Sequence, residues 1–282
     1  MCGIFALLNN IHSHKHIDYN TINNEFMKGK SRGPEHSILE SVSIDLLFGF
    51  HRLAINGLNP ASNQPMKINN IILICNGEIY NYKELYKLLN ITPNAASDCE
   101  VIIHLYEKFG IEYTLQLLDG VFAFILVDNN PENTNLYVAR DPYGVRPLYY
   151  FSENNLLSFA SELKVIYPLC LMKKNIKHFT PGNYMIIDNS KTKSKFYKQY
   201  TSFPCSNINY IVSSSLYYKI VDNLHHAVEK RVSGTCERPI GCLLSGGLDS
   251  SLIAALVNKF YKSDQPLQTF SIGLPGSEDL KY

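Results

Sequence analysis

The chain lacks any C-x-x-C pair, although it holds seven cysteines: Cys2, Cys75, Cys99, Cys170, Cys205, Cys236 and Cys242. An odd count without paired spacing argues against both a zinc site and a secreted disulfide framework. Free thiols in a reducing cytoplasmic compartment are expected instead. An excess of either charge is also missing, since 26 Lys and Arg face 25 Asp and Glu, for a formal net charge of +1. The basic residues are scattered, so there is no electrostatic footprint for nucleic acid or an anionic membrane surface. Apolar runs stop at about eight residues, far short of the ~20 a membrane-spanning helix needs, and no basic stretch leads into a signal-peptide core. Tryptophan is absent, which excludes nothing, and no internal repeat is visible. What remains is a globular composition in 282 residues, enough for two domains that each bury a core. Small polar molecules are the expected partners.

Two patterns divide the chain. Up to about residue 190 short apolar runs bounded by turn residues read as strands, among them 71–75, 121–127 and 183–187. Helix-period stretches lie between them, at 81–89 and at 98–108, the latter with an acidic first turn formed by Asp98 and Glu100. Residues 191–210, polar and basic with Pro204 near the end, read as a linker. Beyond it a helix over 216–232, a strand over 240–244, a helix over 249–259 and a strand over 267–272 form a βαβ unit, which implies a parallel sheet. The domains expected are therefore 2–190 and 211–282.

The presence that matters most is Cys2, directly after Met1. If Met1 is trimmed, as is usual before a small second residue, Cys2 carries both a thiol and a free α-amine. An α-amine titrates near ~7.7–8.0 and a thiol near ~8.5, so nucleophile and general base then share one residue. The second chemical motif is Leu243-Leu244-Ser245-Gly246-Gly247-Leu248-Asp249-Ser250-Ser251, between a strand and a helix. Adjacent glycines allow close backbone approach to an anion, and the helix start and the Ser245, Ser250 and Ser251 hydroxyls offer donors to phosphate. It is not a Walker loop, because no Lys-Ser or Lys-Thr follows the glycines. Asp249 would repel bare phosphate, so Mg²⁺ between carboxylate and pyrophosphate is implied. The competing reading is a glycine-rich turn with Ser and Asp as helix caps. The loop resembles that of enzymes that adenylate a carboxylate or carbonyl and release pyrophosphate.

Cys2 and this loop, in this order on one chain, resemble the glutamine-dependent asparagine synthetases. The likeness includes Met1-Cys2-Gly3-Ile4, Arg32-Gly33-Pro34, Phe48-Gly49-Phe50-His51-Arg52-Leu53-Ala54, Asn76-Gly77-Glu78-Ile79-Tyr80-Asn81 and Arg140-Asp141-Pro142-Tyr143-Gly144-Val145-Arg146-Pro147-Leu148. It implies an α+β N-terminal-nucleophile glutaminase sandwich of αββα layers, followed by the start of an α/β adenylating domain. In the residues' own terms Asn76-Gly77 alone reads as a hairpin turn, and Arg52 and Asp98 alone read as surface charges. The resemblance gives them roles. Cys2 attacks the glutamine carboxamide; the Asn76 side-chain amide and the Gly77 N–H form the oxyanion hole. Arg52 holds the α-carboxylate, Glu78 and Asp98 take the α-ammonium, and backbone groups of Leu53, Ala54, Ile55 and Asn56 complete the pocket. In the second domain main-chain groups of Leu243 and Ile272 receive adenine, while Ser245, Gly246, Gly247, Asp249, Ser250 and Ser251 hold pyrophosphate. Aspartate becomes a β-aspartyl adenylate that ammonia attacks. The resemblance thus implies glutamine, aspartate and ATP as substrates, Mg²⁺, and no organic prosthetic group. His51 is expected to pack rather than act as base, and Arg140 with Asp141 to be structural.

The chain departs from the family at Ser31 and Glu35, where His and Asp are usual. Its last residue, Tyr282, comes ten residues after Ile272, whereas a doubly wound sheet needs about five or six strands. The expectation is a ligase half incomplete on this chain, in need of a complementary C-terminal synthetase chain and without asparagine formation alone; a homo-oligomer is the other arrangement considered. Two further readings compete: a glutaminase subunit supplying ammonia to a partner, and a non-catalytic binding subunit.

Overall fold

The computed structural model describes residues 1–10, 16–130, 133–188, 191–196, 214–235 and 237–277. The chain divides into two compact units, Met1–Phe203 and Pro204–Tyr282.

The first unit runs β1 (Gly3–Leu8), α1 (Tyr19–Met27), β2 (His36–Ser43), β3 (Leu46–Arg52), β4 (Met66–Ile68), β5 (Ile71–Ile79), α2 (Tyr82–Leu89), α3 (Val101–Leu117), β6 (Gly120–Asn130), β7 (Asn133–Arg140), β8 (Tyr149–Glu153), β9 (Leu156–Ala160), α4 (Leu163–Ile166), β10 (Lys177–His178), β11 (Tyr184–Asp188) and β12 (Lys191–Phe196). The strands form two six-stranded sheets, ordered β10-β8-β9-β1-β3-β2 and β12-β11-β7-β6-β5-β4, and the pairings within them are antiparallel.

Strand periodicity makes the layers. Side chains alternate between the faces of a strand, so on β1 Ile4, Ala6 and Leu8 enter the core between the sheets while Phe5 and Leu7 enter the core under α1 and α4. On β6 Ala123, Ile125 and Val127 point to the inter-sheet core, and Phe122, Phe124 and Leu126 to the core under α2 and α3. Each sheet is thereby covered on both faces, giving four layers, helix, sheet, sheet, helix. A fully buried Phe or Leu contributes about 1.5–3 kcal/mol relative to exposure, so three contiguous cores make this scaffold stiff enough to hold a site.

Two local expectations are corrected. The helix placed at 98–108 begins as a 3₁₀ turn, Asp98–Glu100, and continues as α3 with a kink at Gly110. Asp98 and Glu100 are buried rather than displayed on a first turn. The stretch 191–210 opens with β12, which pairs with β11, and so extends the sheet where a linker is expected; 197–210 lie outside the described residues.

In the second unit α5 (Ser214–Gly234) precedes β13 (Gly241–Leu243), α6 (Leu248–Phe260) and β14 (Gln268–Phe270). β13 and β14 are parallel, with Cys242 opposite Thr269, as the βαβ pattern in the sequence implies. Val228 and Val232 of α5 pack with Cys242, Ala254, Leu256 and Val257.

Candidate active site

The ends of β1, β3 and β5 meet at one cleft. The register sets Gly3 opposite His51, which brings Cys2 beside the residues that leave β3. Leu53 N–H donates to Cys2 Sγ at 3.4 Å, and Leu53 O lies 3.4 Å from the same sulfur. Burial pushes the Cys2 thiol up, while the Leu53 N–H and the terminal amine pull it down. Arg32 Nε donates to Cys2 O at 2.8 Å. It is delivered there by a 3₁₀ turn, Lys30–Arg32, followed by Gly33, where a Cβ would meet the backbone of His51 at 2.4 Å. His51 is structural: it stacks on Phe26 with ring centroids 3.9 Å apart, and its nitrogens are taken by Ser37 Oγ and Phe26 O. The Phe26 carbonyl only accepts, so Nε2 carries the proton and Nδ1 accepts from Ser37. Burial lowers the His51 pKa.

β5 supplies the chemically distinctive edge. β4 pairs with it only as far as Leu73; past that point side chains replace the missing strand. Gln64 caps Cys75, its Nε2 donating to Cys75 O at 3.2 Å and its Oε1 accepting from Cys75 N at 2.5 Å. Cys99 Sγ lies 3.9 Å from Gly77 O, and Asp98 Oδ2 accepts from Ile79 N at 2.6 Å. Gly77 faces Phe122 across the ladder, but Phe122 turns both its N–H and its carbonyl to Asp141. The Gly77 N–H is therefore left on the outer edge, and no acceptor for it is found among the described residues. Beside it Asn76 is buried, and its Nδ2 has no hydrogen-bond partner among the described residues. Two adjacent donors thus lack acceptors at the wall of the Cys2 cleft. Gly77 is also required by packing, since a Cβ would meet Phe122 Cβ and Val121 O at 2.7 Å. The Asn76-Gly77 pair lies within a strand, not in the hairpin turn its composition alone suggests.

Charged groups surround these donors. Arg52 is buried, with Nη1 donating to Asn59 O at 3.0 Å and Asn63 Oδ1 at 2.6 Å, and Nη2 to Gly57 O. It therefore ties down the 57–63 loop while lining the cleft. Glu78 pairs with Arg146 at 2.6 Å. Asp98 is fully enclosed, and burial pushes its carboxyl up to about 6 despite hydrogen bonds from Ile79 N–H and the Asn56 side chain. Glu35, one of the departures from the family pattern, accepts from Ala54 N at 3.1 Å and so braces the 53–56 segment; Ser31 is exposed.

All ten residues expected at the glutamine site, Cys2, Arg52, Leu53, Ala54, Ile55, Asn56, Asn76, Gly77, Glu78 and Asp98, line this cleft. Sequence reasoning missed Gln64, Cys75, Cys99 and Arg146, which line it too. Arg146 is aimed by its neighbours: Asp141 accepts from the N–H groups of Phe122, Tyr143, Val145 and Arg146, and Arg140 Nε donates to Arg146 O at 2.7 Å. Its signal was present, inside the Arg140–Leu148 motif, but nothing in the spacing linked it to Glu78, 68 residues away. Met1 lines the cleft as well, and the space left measures about 30 Å³, room for about one water.

The remaining expected residues lie in the second unit. Ser245, Gly246 and Gly247 form the turn from β13 into α6, with Gly246 at φ +80° and Gly247 as the helix N-cap. Ser250 Oγ lies 3.1 Å from Ser245 Oγ and donates to Gly247 O at 3.1 Å, which folds the loop onto the helix start. Asp249 stands in the first turn of α6. Leu243 ends β13, and Ile272 follows β14; the side chains of both are exposed. Among the described residues no group of three or more His, Cys, Asp or Glu is placed to hold a metal ion, and no helix is long and apolar enough to cross a membrane.

A family model described as a glutamine amidotransferase domain matches residues 1–218. The chain belongs to the glutamine amidotransferase family. A second model, asparagine synthase, matches residues 219–282. This amidotransferase is 36% identical over 307 aligned positions to the glutamine-hydrolysing asparagine synthetase of Gallus gallus, and 37% identical over 307 to that of Homo sapiens. It is 38% identical over 302 positions to a probable asparagine synthetase of Acanthamoeba polyphaga mimivirus. Each match covers 99% of this chain and 53% of the relative, so the chain spans about half the length of the curated relatives it matches. Among solved structures, the glutamine phosphoribosylpyrophosphate amidotransferase of B. subtilis, complexed with ADP and GMP, superposes with a TM-score of 0.55 at 18% identity, covering 96% of this chain and 65% of that one. That likeness shows the fold alone: the arrangement is shared with that amidotransferase.

Proposed function

We propose that the first unit hydrolyses glutamine at Cys2, and that the ammonia serves an ATP-dependent synthesis of asparagine in which the second unit takes part. The observation that carries the reading is Asn76 Nδ2, without a hydrogen-bond partner among the described residues, beside the Gly77 N–H turned to the outer edge, in the wall of the cleft that holds Cys2. A buried donor left without a partner costs about 1–3 kcal/mol, a cost that makes sense where an oxyanion forms. With Met1 attached, the nitrogen of Cys2 is a peptide nitrogen and cannot act as base. Its removal frees the α-amine and vacates space in the cleft.

The α-amine then takes the thiol proton, and the Cys2 thiolate attacks the carboxamide carbon. Negative charge moving onto the carbonyl oxygen is met by the Asn76 and Gly77 donors. The protonated amine returns its proton to the departing ammonia, and water, deprotonated by the same amine, hydrolyses the thioester to glutamate. Arg52 supplies positive charge for the α-carboxylate, and Glu78 and Asp98 supply negative charge for the α-ammonium. In the second unit the Ser245–Ser251 loop receives the pyrophosphate of ATP, and backbone groups of Leu243 and Ile272 the adenine. One carboxylate at the start of a helix suits Mg²⁺, which keeps several waters and arrives with phosphate; Asp249 would hold it, and the ion would neutralise phosphate charge. Aspartate activated as its β-adenylate is the acceptor, and the cytoplasm is the setting.

The test is glutamate release by the purified chain, with the fraction lacking Met1 measured by mass spectrometry. Turnover is expected to scale with that fraction and to vanish in Cys2→Ala. Hydrolysis that survives in Cys2→Ala overturns the assignment.

A further inference from the structure

The cleft wall holds one side-chain oxygen that the proposed reaction does not use. Asn56 lines the cleft, and its Oδ1 is enclosed with no hydrogen-bond partner among the described residues. It is an acceptor without a donor, the reverse of Asn76 Nδ2. The fold fixes which end of the cleft it serves. Asn56 leads into Gly57, which packs so closely on the segment before Asp98 that a Cβ there would meet Ala96 C at 2.8 Å. Gly57 O in turn accepts from Arg52 Nη2. Asn56 thus stands with Arg52 and Asp98, at the end where the α-substituents of an amino acid would lie, although the sequence leads one to expect only its backbone there.

We propose that the Asn56 side-chain oxygen accepts an N–H of the ligand's α-ammonium, and so makes the cleft select a free α-amino acid over the same amide without that group. The proposal rests on the glutamine reading above and names the residue that sharpens its specificity. An ammonium group carries three N–H donors and no acceptor. The two carboxylates at this site are already engaged on one side: Glu78 Oε1 accepts from Arg146 Nη2 at 2.6 Å, and Asp98 Oδ2 accepts from Ile79 N at 2.6 Å. Each can turn its other oxygen to the ammonium, which leaves the third N–H for a further acceptor. Asn56 Oδ1 supplies it. A ligand without the ammonium leaves this oxygen enclosed and without a donor, and a site built around a hydrogen bond rejects the analogue that cannot make it. Asn56 is thus a specificity-determining residue that acts through its side chain.

The experiment uses the full chain carrying Cys2→Ala, which prevents turnover, with loss of Met1 checked by mass spectrometry. Calorimetry compares L-glutamine with glutaramate, which keeps the carboxylate and the carboxamide but has hydrogen in place of the α-ammonium. The parent should prefer glutamine, and adding Asn56→Leu should cut the ratio of the two affinities about tenfold. Asn56→Ala gives the same comparison should the leucine variant fold poorly. Asn56→Asp, which keeps an oxygen acceptor and discards the amide N–H, should retain the preference for glutamine. A ratio that stays unchanged in Asn56→Leu, with both ligands weakened alike or not at all, overturns the proposal and leaves the glutamine reading standing. Loss of the preference in Asn56→Asp overturns it too, by assigning the discrimination to the amide N–H. If the parent does not bind glutamine at all, the glutamine reading fails and the proposal fails with it.

Discussion

Asn76 shows how much of the site's chemistry rests on single atoms. Its Nδ2 is enclosed and without a partner among the described residues, so replacing it removes a donor without breaking a bond to any of them. Asn76→Ala is expected to lower kcat for glutamine hydrolysis about 10²–10³-fold with a smaller change in KM, measured by initial rates on processed protein. Asp98 gives a different kind of residue-level effect. Its folded-state carboxyl is raised to about 6 by burial, above the ~3.9 of an unfolded chain. The folded state therefore holds that proton more tightly, and the stability Asp98 contributes is greatest below ~4 and is lost as pH rises through 6. Asp98→Asn should raise thermal stability above pH 6 while weakening glutamine binding. In the parent chain KM for glutamine should climb as pH falls below 6 and the charge facing the α-ammonium disappears. A KM that is flat between pH 5 and 8 would remove Asp98 from the ammonium site.

At the scale of elements, the turn from Arg140 to Pro147 is organised around Asp141, whose carboxylate is fully buried and accepts from four backbone amides. Asp141→Asn replaces an acceptor oxygen with a donor and strands some of those amides, which should cost about 2–4 kcal/mol. Differential scanning calorimetry should register this as a Tm lowered by about 5–15 °C, together with a raised KM as Arg146 loses its aim at Glu78. The helices were legible in the sequence because apolar spacing marks them: 81–89 and 249–259 each lie within a residue or two of the observed α2 and α6. The strand at Gly3–Leu8 was not, because burial on both faces erases the alternation that would identify it. The acidic residues at 98 and 100 misled for a related reason. Expected in the first turn of a helix, they are buried in a 3₁₀ turn, where Asp98 serves the end of β5 and Glu100 accepts from the Asn94 and Ala95 amides of the preceding loop. The ten residues expected at a glutamine site, which the structure gathers in one cleft, were legible through the resemblance of their segments to a family. Gln64, Cys75, Cys99 and Arg146 joined the cleft only through three-dimensional packing.

Over the whole molecule, stability is uneven. Three large cores hold the first unit, whereas the second rests on one small cluster around Val228, Val232, Cys242, Ala254, Leu256 and Val257. Hydrogen exchange should therefore proceed faster across α5, β13, α6 and β14 than across β1, β5 and β6, and Mg²⁺ with ATP should slow exchange at 245–251. Equal protection in both units, or no change on adding nucleotide, would contradict these expectations. The edge of β5 has one further consequence. Because Gln64, Cys99 and Asp98 occupy the positions where a neighbouring strand would bond, no extended peptide can zip onto that rim. That rim is closed to edge-to-edge polymerisation, and under the function proposed above it would take glutamine as the free amino acid rather than as part of an extended polypeptide.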